Sequence, residues 1–219
     1  MNVFDIIGPV MIGPSSSHTA GAVRIGKVAR TLLHEEVIEA KIMLHGSFAK
    51  TYRGHGTDKA LVGGIMDMLP DDIRIRHSLA LAKEQGIKVS FEEIVIDKAH
   101  PNTAVIHLTG KSGKNVTIRG ASVGGGNIII NNINGLEVEL SCQNTSLIVV
   151  HKDTPGTIAA VTSFVAKSGV NIGNFRLSRE ERGGLAVMAI EIDGAENESL
   201  NEEISKLSNV ISSTMLKRV

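Results

Sequence analysis

The sequence predicts an α+β protein made of two consecutive domains. Helical patterns dominate up to about residue 85, and short alternating strands follow up to residue 140. A short polar stretch at residues 142–146 then precedes a second pattern, which has the order strand, helix, strand, strand, helix, strand. We therefore place a first α+β domain at residues 1–142 and a second, βαββαβ domain at residues 147–219.

In the first domain, apolar spacing and breaker residues locate the elements. The spacing predicts a helix over residues 20–33 and a strand over residues 37–44. Two more helices are predicted over residues 57–68, ended by Pro70, and over residues 75–85, ended by Gly86. Alternating β-branched segments separated by Gly, Asn and Pro then predict strands over residues 88–96, 103–108, 115–119, 127–133 and 136–140.

In the second domain, the same patterns alternate at shorter intervals. Pro155 and Gly156 open a predicted helix that ends near Lys167, and residues 180–184 form a predicted turn. The remaining elements are strands over residues 147–151, 170–178, 185–192 and 210–216 and a helix over residues 198–206.

The composition excludes several classes of protein. The 23 basic residues balance the 23 acidic ones and only 3% of residues are aromatic, which argues against a nucleic-acid partner. The single cysteine, Cys142, excludes an intramolecular disulfide and fits a reducing compartment. The first basic residue is Arg24, and no apolar run approaches 18 residues, so we expect neither a signal peptide nor a membrane span. The expected location is the cytoplasm.

The first candidate functional segment is residues 13–19, GPSSSHT, just ahead of a predicted helix. Backbone N–H groups at a helix start bind anions such as carboxylates, and His18 can move a proton near neutral pH. The hydroxyl groups that could assist are those of Ser15, Ser16, Ser17 and Thr19. An ordinary serine helix cap with a surface histidine remains the alternative.

The second candidate segment is residues 45–58, HGSFAKTYRGHGTD. His45 ends a predicted strand, and His55 stands between two glycines that leave its ring open to approach. The two histidines are ten residues apart, unlike the pair of a helical zinc site. Charged side chains surround His55, namely Lys50, Arg53 and Asp58. The alternative is a glycine loop with solvated charges.

A third segment, residues 122–127 (SVGGGN), lies between two predicted strands. Gly124 and Gly125 belong to a triplet that can expose backbone N–H groups as an anion nest. The spacing does not match a dinucleotide-binding loop, and no helix follows. A plain hairpin turn explains the segment equally well.

Taken together, residues 13–19, 45–47, 54–58 and 122–126 resemble the β subunits of the bacterial iron–sulfur-dependent L-serine dehydratases, and the resemblance covers essentially the whole chain. It implies conversion of L-serine to pyruvate and ammonia without pyridoxal phosphate, with a [4Fe–4S] cluster acting as Lewis acid on the substrate hydroxyl. The N-terminal part is similar to the allosteric-substrate-binding domain of some phosphoglycerate dehydrogenases. The tail resembles an ACT domain, a ferredoxin-like βαββαβ amino-acid sensor.

The resemblance also implies a partner subunit. Cysteine thiolates hold such clusters, and Cys142 alone cannot hold one. In two-chain members of the family, the cluster cysteines belong to the α subunit, so we expect no metal on this chain and no activity without that partner. The expected catalytic residues are His18, His45 and His55. The expected substrate-binding residues are Ser15, Ser16, Ser17, Thr19, Lys50, Asp58, Gly124 and Gly125.

For the tail, the resemblance implies self-association and binding of an amino acid such as L-serine. The helix that follows Gly156 would offer N–H groups to the carboxylate, and Asp153 would take the ammonium group. His151 would add a hydrogen bond, while Asn171 and Ile172 of another copy would close the pocket. The alternative is a domain that only dimerises.

Two other functions are compatible with these residues. The chain could be a non-catalytic amino-acid-sensing protein with an ACT domain. It could also be a hydrolase with a metal held by His18, His45 and His55.

Overall fold

The computed structural model of the chain describes residues 10–193 and 198–218. The chain divides into two compact units, Met1–Asn134 and Gly135–Val219. This division falls ahead of the polar stretch at residues 142–146, where the sequence places the domain boundary. Part of that stretch is regular structure, because a strand begins at Thr145.

In the described part of the first unit, three of the four α-helices lie in the first half and four of the five strands lie in the second, which confirms the α+β prediction. A five-residue π-helix, Ser17–Gly21, leads directly into the first α-helix. A 3₁₀ turn, Ile73–His77, precedes the fourth. The α-helices are α1 Ala22–Leu33, α2 Gly46–His55, α3 Thr57–Ile65 and α4 Ser78–Glu84. The strands are β1 Val37–His45, β2 Lys88–Ile94, β3 Asn102–Gly110, β4 Asn115–Gly124 and β5 Asn127–Ile133.

The strands of this unit are hydrogen bonded in the order β2-β1-β3-β4-β5. β1 runs parallel to β2 and antiparallel to β3, and the later pairs are antiparallel. On β1, Ile42 and Leu44 are buried. α1 packs on the sheet where Gly120 leaves room for Ile25. Because side chains alternate along a strand, His45 leaves β1 on the side opposite to Leu44.

The helices α1 and α3 cross with their backbones in contact. A Cβ atom on Gly26 would lie 2.2 Å from the carbonyl oxygen of Leu61, and one on Gly64 would lie 2.0 Å from that of Val23. Only glycine allows such an approach. Lys27 on α1 pairs at 2.7 Å with Asp67, just beyond the end of α3. The rings of His18, ahead of α1, and His55, ahead of α3, lie 4.8 Å apart, so the two helices run in the same sense. The starts of α1 and α3 therefore lie on the same side of the crossing.

The second unit begins with a short strand, β6 Leu136–Leu140, and then has the predicted βαββαβ order. The elements of that order are β7 Thr145–Lys152, α5 Thr157–Lys167, β8 Ile172–Arg179, β9 Leu185–Ile192, α6 Glu198–Ser205 and β10 Val210–Leu216. The last four strands form an antiparallel sheet in the order β10-β7-β9-β8. Val149 and Ile190 from this sheet pack against Val161 and Val165 of α5 and Ile204 of α6, which forms the core.

In the two ranges that the structure covers, 10–193 and 198–218, no helix combines the length and the apolar character that a membrane crossing requires.

Candidate functional site

The motifs of the first unit converge at one end of its sheet. Gly46, which follows β1, pairs with Asn102 at the start of β3. The Asn102 side chain donates to the carbonyl oxygen of Ser122 near the end of β4, at 3.4 Å. Ser122 in turn packs against Gly21 of the π-helix. The three segments that the sequence singles out are therefore neighbours in space.

His18 is held by a hydroxyl group at each ring nitrogen. Its Nδ1 lies 3.2 Å from Ser15 Oγ, and its Nε2 lies 3.3 Å from Ser47 Oγ. The Phe48 ring meets the imidazole edge-on at a centroid distance of 5.3 Å. The residue is 8% exposed. Since a neutral imidazole has one donor and one acceptor, and a hydroxyl can serve as either, both ring nitrogens are satisfied in either tautomer.

His55 forms the other half of a histidine pair. Its ring lies 4.8 Å from that of His18, centroid to centroid, at an interplanar angle of 79°. His55 is exposed and ends α2, whereas His18 is buried. Burial lowers the pKa of His18, and the nearby charge of His55 lowers it further. His18 is therefore a neutral imidazole near neutral pH and can accept a proton.

His45 lies apart from this pair. The backbone N–H of Ile96 lies 3.2 Å from its Nδ1, and the carbonyl oxygen of Ile94 lies 3.4 Å from the same atom. The ring thus holds the chain that follows β2. Over residues 10–193 and 198–218, no three His, Cys, Asp or Glu side chains are grouped closely enough to hold a metal ion. That geometry removes the basis for a three-histidine metal hydrolase.

The serine run caps the helix start through Ser15, whose Oγ accepts the His18 N–H at 3.4 Å. Ser16 precedes the π-helix without making a side-chain capping bond, and its carbonyl oxygen accepts from the Gly21 N–H at 3.0 Å. Ser17 lies inside the π-helix, half-buried. Such one-turn π segments often occur at functional sites, because the wider turn redirects side chains.

Buried hydroxyls without a partner surround the pair. Thr19 Oγ1 packs against Gly13, and a Cβ atom on that glycine would overlap it. In the described part of the chain, three hydroxyls are buried and form no hydrogen bond, those of Thr19, Thr57 and Ser122. Because orphaned buried polar groups cost free energy, they mark this end of the sheet as unusual.

The segment 45–58 is a helix and not a glycine loop. Gly46 starts α2 at φ 62°, where a Cβ atom would collide with the Pro101 backbone. Gly56 ends it in the left-handed conformation, with its N–H bonded to the carbonyl oxygen of Tyr52. Lys50 is exposed on this helix. Asp58 is buried in the first turn of α3, and its carboxylate accepts the Lys59 N–H at 2.8 Å.

The glycine triplet makes the tight turn between β4 and β5. Gly124 and Gly125 have φ values of 110° and 59°, which favour glycine. The guanidinium of Arg24 donates to the carbonyl oxygen of Gly126 at 2.6 Å, so a cation from α1 lies at this turn. Arg24 and Ser47 are site residues that the sequence did not predict. Ser47 directly follows His45 and Gly46 in the sequence, and this position was the signal that could have identified it.

In the second unit, the predicted regulatory residues fall at opposite ends of the sheet. His151, Asp153 and Gly156 lie at the end of β7, whereas Asn171 and Ile172 lie where β8 begins, level with the start of β7. Gly156, at φ 90°, precedes α5 and has no side chain with which to cap it. His151 is 1% exposed, and its Nδ1 donates to the carbonyl oxygen of Lys152 at 2.8 Å. Its Nε2 is therefore an acceptor, and within the described residues it has no partner.

Two of these residues are already engaged inside the chain. Asp153 Oδ2 accepts from Arg179 at 2.9 Å and from the Gly183 N–H at 3.2 Å. The Gly183 bond and then the Arg179 bond hold the pKa of Asp153 below its usual value. Asn171 Nδ2 donates to Asp193 at 2.7 Å. Ile172 begins β8 and is half-buried. A ligand would have to displace or share the Asp153 and Asn171 bonds.

The single cysteine does not suit an iron–sulfur cluster. Cys142 is 1% exposed, and burial, aided by the carboxylate of Glu191, raises the pKa of its thiol to about 12. A cubane cluster requires several thiolates, and the chain offers one thiol that stays protonated. The residues present therefore do not fit the cluster.

Comparison with known proteins identifies both parts of the chain. The family described as "Serine dehydratase beta chain" matches residues 2–132, and the ACT domain family matches residues 145–209. The chain is 45% identical over 215 residues to the "Probable L-serine dehydratase, beta chain" of Bacillus subtilis (strain 168), covering 98% of this chain and 97% of that protein. It is 38% identical over 204 residues to the "L-serine dehydratase, beta chain" of Peptoniphilus asaccharolyticus, covering 93% and 92%.

A more distant similarity extends over most of the chain. D-3-phosphoglycerate dehydrogenase of Bacillus subtilis is 24% identical over 190 residues, which are 86% of this chain but 36% of that enzyme. The near-complete matches to beta chains are the stronger finding. The chain belongs to the serine dehydratase beta chain family and carries an ACT domain at its C-terminal end.

Proposed function

We propose that this chain is the β subunit of a cytoplasmic, iron–sulfur-dependent L-serine dehydratase that converts L-serine to pyruvate and ammonia together with a cysteine-bearing α subunit. The observation that carries the proposal is the buried, neutral His18, held between Ser15 and Ser47 and facing His55. Membership of the beta chain family supports the reaction and the need for a second subunit.

The reaction requires a base for the α-proton, an electrophile for the leaving hydroxyl and an anchor for the carboxylate. The electrophile must come from outside this chain, because one buried thiol cannot supply a cluster's thiolates. We assign the cluster to the α subunit, and no role given to this chain depends on it. The chain's own contribution is to handle the proton and to bind the substrate.

We assign removal of the substrate's α-proton to the His18–His55 pair. His18 has the lowered pKa of an acceptor that is unprotonated near neutral pH. His55 is exposed and its ring lies edge-on to His18, so it connects the buried ring to the outside. A proton taken by one ring raises the free energy of protonating the other, because two positive charges at this distance repel. When His55 is already protonated, a proton taken by His18 is therefore released more readily.

We assign binding of the substrate carboxylate to the hydroxyls and backbone N–H groups around the π-helix. Ser15, Ser16 and Ser17 are half-buried there, whereas Thr19 is buried behind them. Gly124 and Gly125 form a second set of candidate donors at the β4–β5 turn, beside Arg24. His45, Lys50 and Asp58 remain candidate site residues, and we assign none of them to the His18–His55 pair.

The test is turnover of the assembled complex, prepared anaerobically with its α subunit. His18→Ala and His55→Ala should each lower kcat by roughly 10²-fold or more if the pair transfers the proton. His107→Ala is the matched control, since His107 is a half-buried histidine on β3 that bonds Thr117. Melting curves show whether each variant is folded. Unchanged kcat/KM in both His18 and His55 variants would refute the assignment, and serine binding without any turnover of the wild-type complex would favour a sensor.

We further propose that the ACT domain binds L-serine and pairs with a second copy. The support is the uncapped start of α5 at Gly156 and the unpartnered acceptor Nε2 of His151. Calorimetry on the full chain should show serine binding that is lost in Asn171→Ala and kept in Asn174→Ala, an exposed asparagine on β8. If no heat of binding is observed with serine at millimolar concentration, the domain serves only in assembly.

A further inference from the structure

Strand β2 is an open edge of the sheet in the first unit. It pairs in parallel with β1 on one side, and no described strand pairs with its other side. Along Lys88–Ile94, exposed Lys88, Ser90 and Glu92 alternate with half-buried Val89 and Phe91. An edge of this kind presents unpaired backbone N–H and C=O groups that can accept another strand.

An apolar groove runs beside this edge. Its volume is about 550 Å³, and it lies between α4 and β2. Leu79, Ile87, Val89 and Phe91 supply its apolar lining, and Lys83 lies at its side. Phe91 also stacks on Tyr52 of α2 at 5.7 Å, which fixes the ring in place. A groove that follows a bare strand edge suits an extended segment with its own apolar side chains.

The order of side chains on β2 is complementary to itself. A two-fold axis perpendicular to the sheet, midway between the Ser90 residues of two copies, would bring a second β2 alongside in the antiparallel sense. Lys88 would then face Glu92 of the second copy, Val89 would face Phe91, and Ser90 would face Ser90. Each facing pair lies on the same side of the sheet, because the axis preserves the faces. Over residues 88–92, each contact is therefore charge with opposite charge, apolar with apolar, or small with small.

We propose that two copies of the chain join through their β2 edges in this register. Val89 and Phe91 of each copy would cover the groove of the other, as aromatic and β-branched pairs do across antiparallel strands. Glu92 already pairs with Lys41 of its own chain at 3.1 Å, with 51% of its side chain exposed. Lys88 of the second copy would approach this carboxylate from the open side. This interface uses the first unit and is independent of any pairing through the ACT domain.

Cross-linking of the full chain tests the register. Ser90→Cys places two thiols opposite each other across the axis, at a Cα separation of about 4.5–5.5 Å that allows a disulfide. The native Cys142 does not compete, because it is buried with a raised pKa. Mild oxidation should give a covalent dimer of Ser90→Cys and none of Ser112→Cys, an exposed control on the β3–β4 turn. Equal cross-linking of the two variants, or none of either, would overturn the proposal.

Charge reversal tests the contacts independently. Lys88→Glu and Glu92→Lys should each weaken self-association about tenfold, because each change places like charges together twice per dimer. The double variant K88E/E92K restores opposite charges and should regain the wild-type affinity. Lys114→Glu, an exposed lysine away from β2, is the control. Sedimentation of the full chains gives the affinities, and a double variant no better than the single ones would contradict the register.

Discussion

Replacement of Gly64 by alanine tests the helix crossing that places the starts of α1 and α3 together. The new Cβ atom would lie 2.0 Å from the carbonyl oxygen of Val23 and 2.8 Å from the backbone nitrogen of Lys27. Because ordinary van der Waals contact begins near 3.4 Å, the first of these requires the helices to separate by about 1.4 Å. Backbone atoms cannot rotate away as a flexible side chain can, so the whole crossing must open.

The size of the effect follows from two opposing terms. Overpacking of a well-packed site costs about 1–3 kcal/mol. Alanine in place of glycine inside a helix recovers about 0.5–1 kcal/mol. We therefore expect a net loss of about 1–2 kcal/mol, which lowers the melting temperature of the first unit by roughly 3–10 °C. The assay is thermal unfolding of the full chain followed by circular dichroism.

Gly54 provides the matched control. It also lies within a helix, α2, but a Cβ atom there would meet nothing within 4 Å. Gly54→Ala should therefore leave stability unchanged or raise it by up to about 1 kcal/mol. If Gly64→Ala were as stable as Gly54→Ala, the two helices would not be in backbone contact and the reasoning would fail.

Three further outcomes are expected. The isolated chain should show no serine-dependent pyruvate release and no stoichiometric iron after anaerobic reconstitution, and iron–sulfur absorption in that sample would contradict this. Because the pKa of His18 is lowered on folding, the unfolded chain binds more protons, so stability should fall as the pH drops below about 6.5. The melting temperatures of wild type and His18→Ala should be measured from pH 8 to pH 5, and the difference between them should be smallest at pH 5. Cys142 should resist iodoacetamide at pH 8 in the folded chain and react after denaturation, since its thiol pKa is raised to about 12.

Local sequence patterns were sufficient wherever strands alternate regularly. The predicted bounds of β5, β6, β9 and β10 agree with the structure, and so does the βαββαβ order of the second unit. These segments are rich in aliphatic and β-branched residues, and Gly, Asn or Asp bounds most of their ends, so short-range patterning decides them. The presence of Ser15 and His18 ahead of a helix was likewise visible in the sequence.

Tertiary structure decided what local propensity could not. Glycines at positions 46, 54 and 56 favour a loop by propensity, yet α2 forms because Gly46 fits against the Pro101 backbone and Gly56 supplies a left-handed end.

Which of the histidines lie close together was also decided by the tertiary structure. His18 and His55 are far apart in sequence, but the π-helix and α2 bring their rings to 4.8 Å. His45 stands only two residues before Ser47, but its side chain leaves β1 on the side opposite to Leu44 and contacts the backbone of Ile96. The sequence alone thus determined which residues are chemically capable, by their type and order. Only packing between elements distant in the chain decided which of them meet.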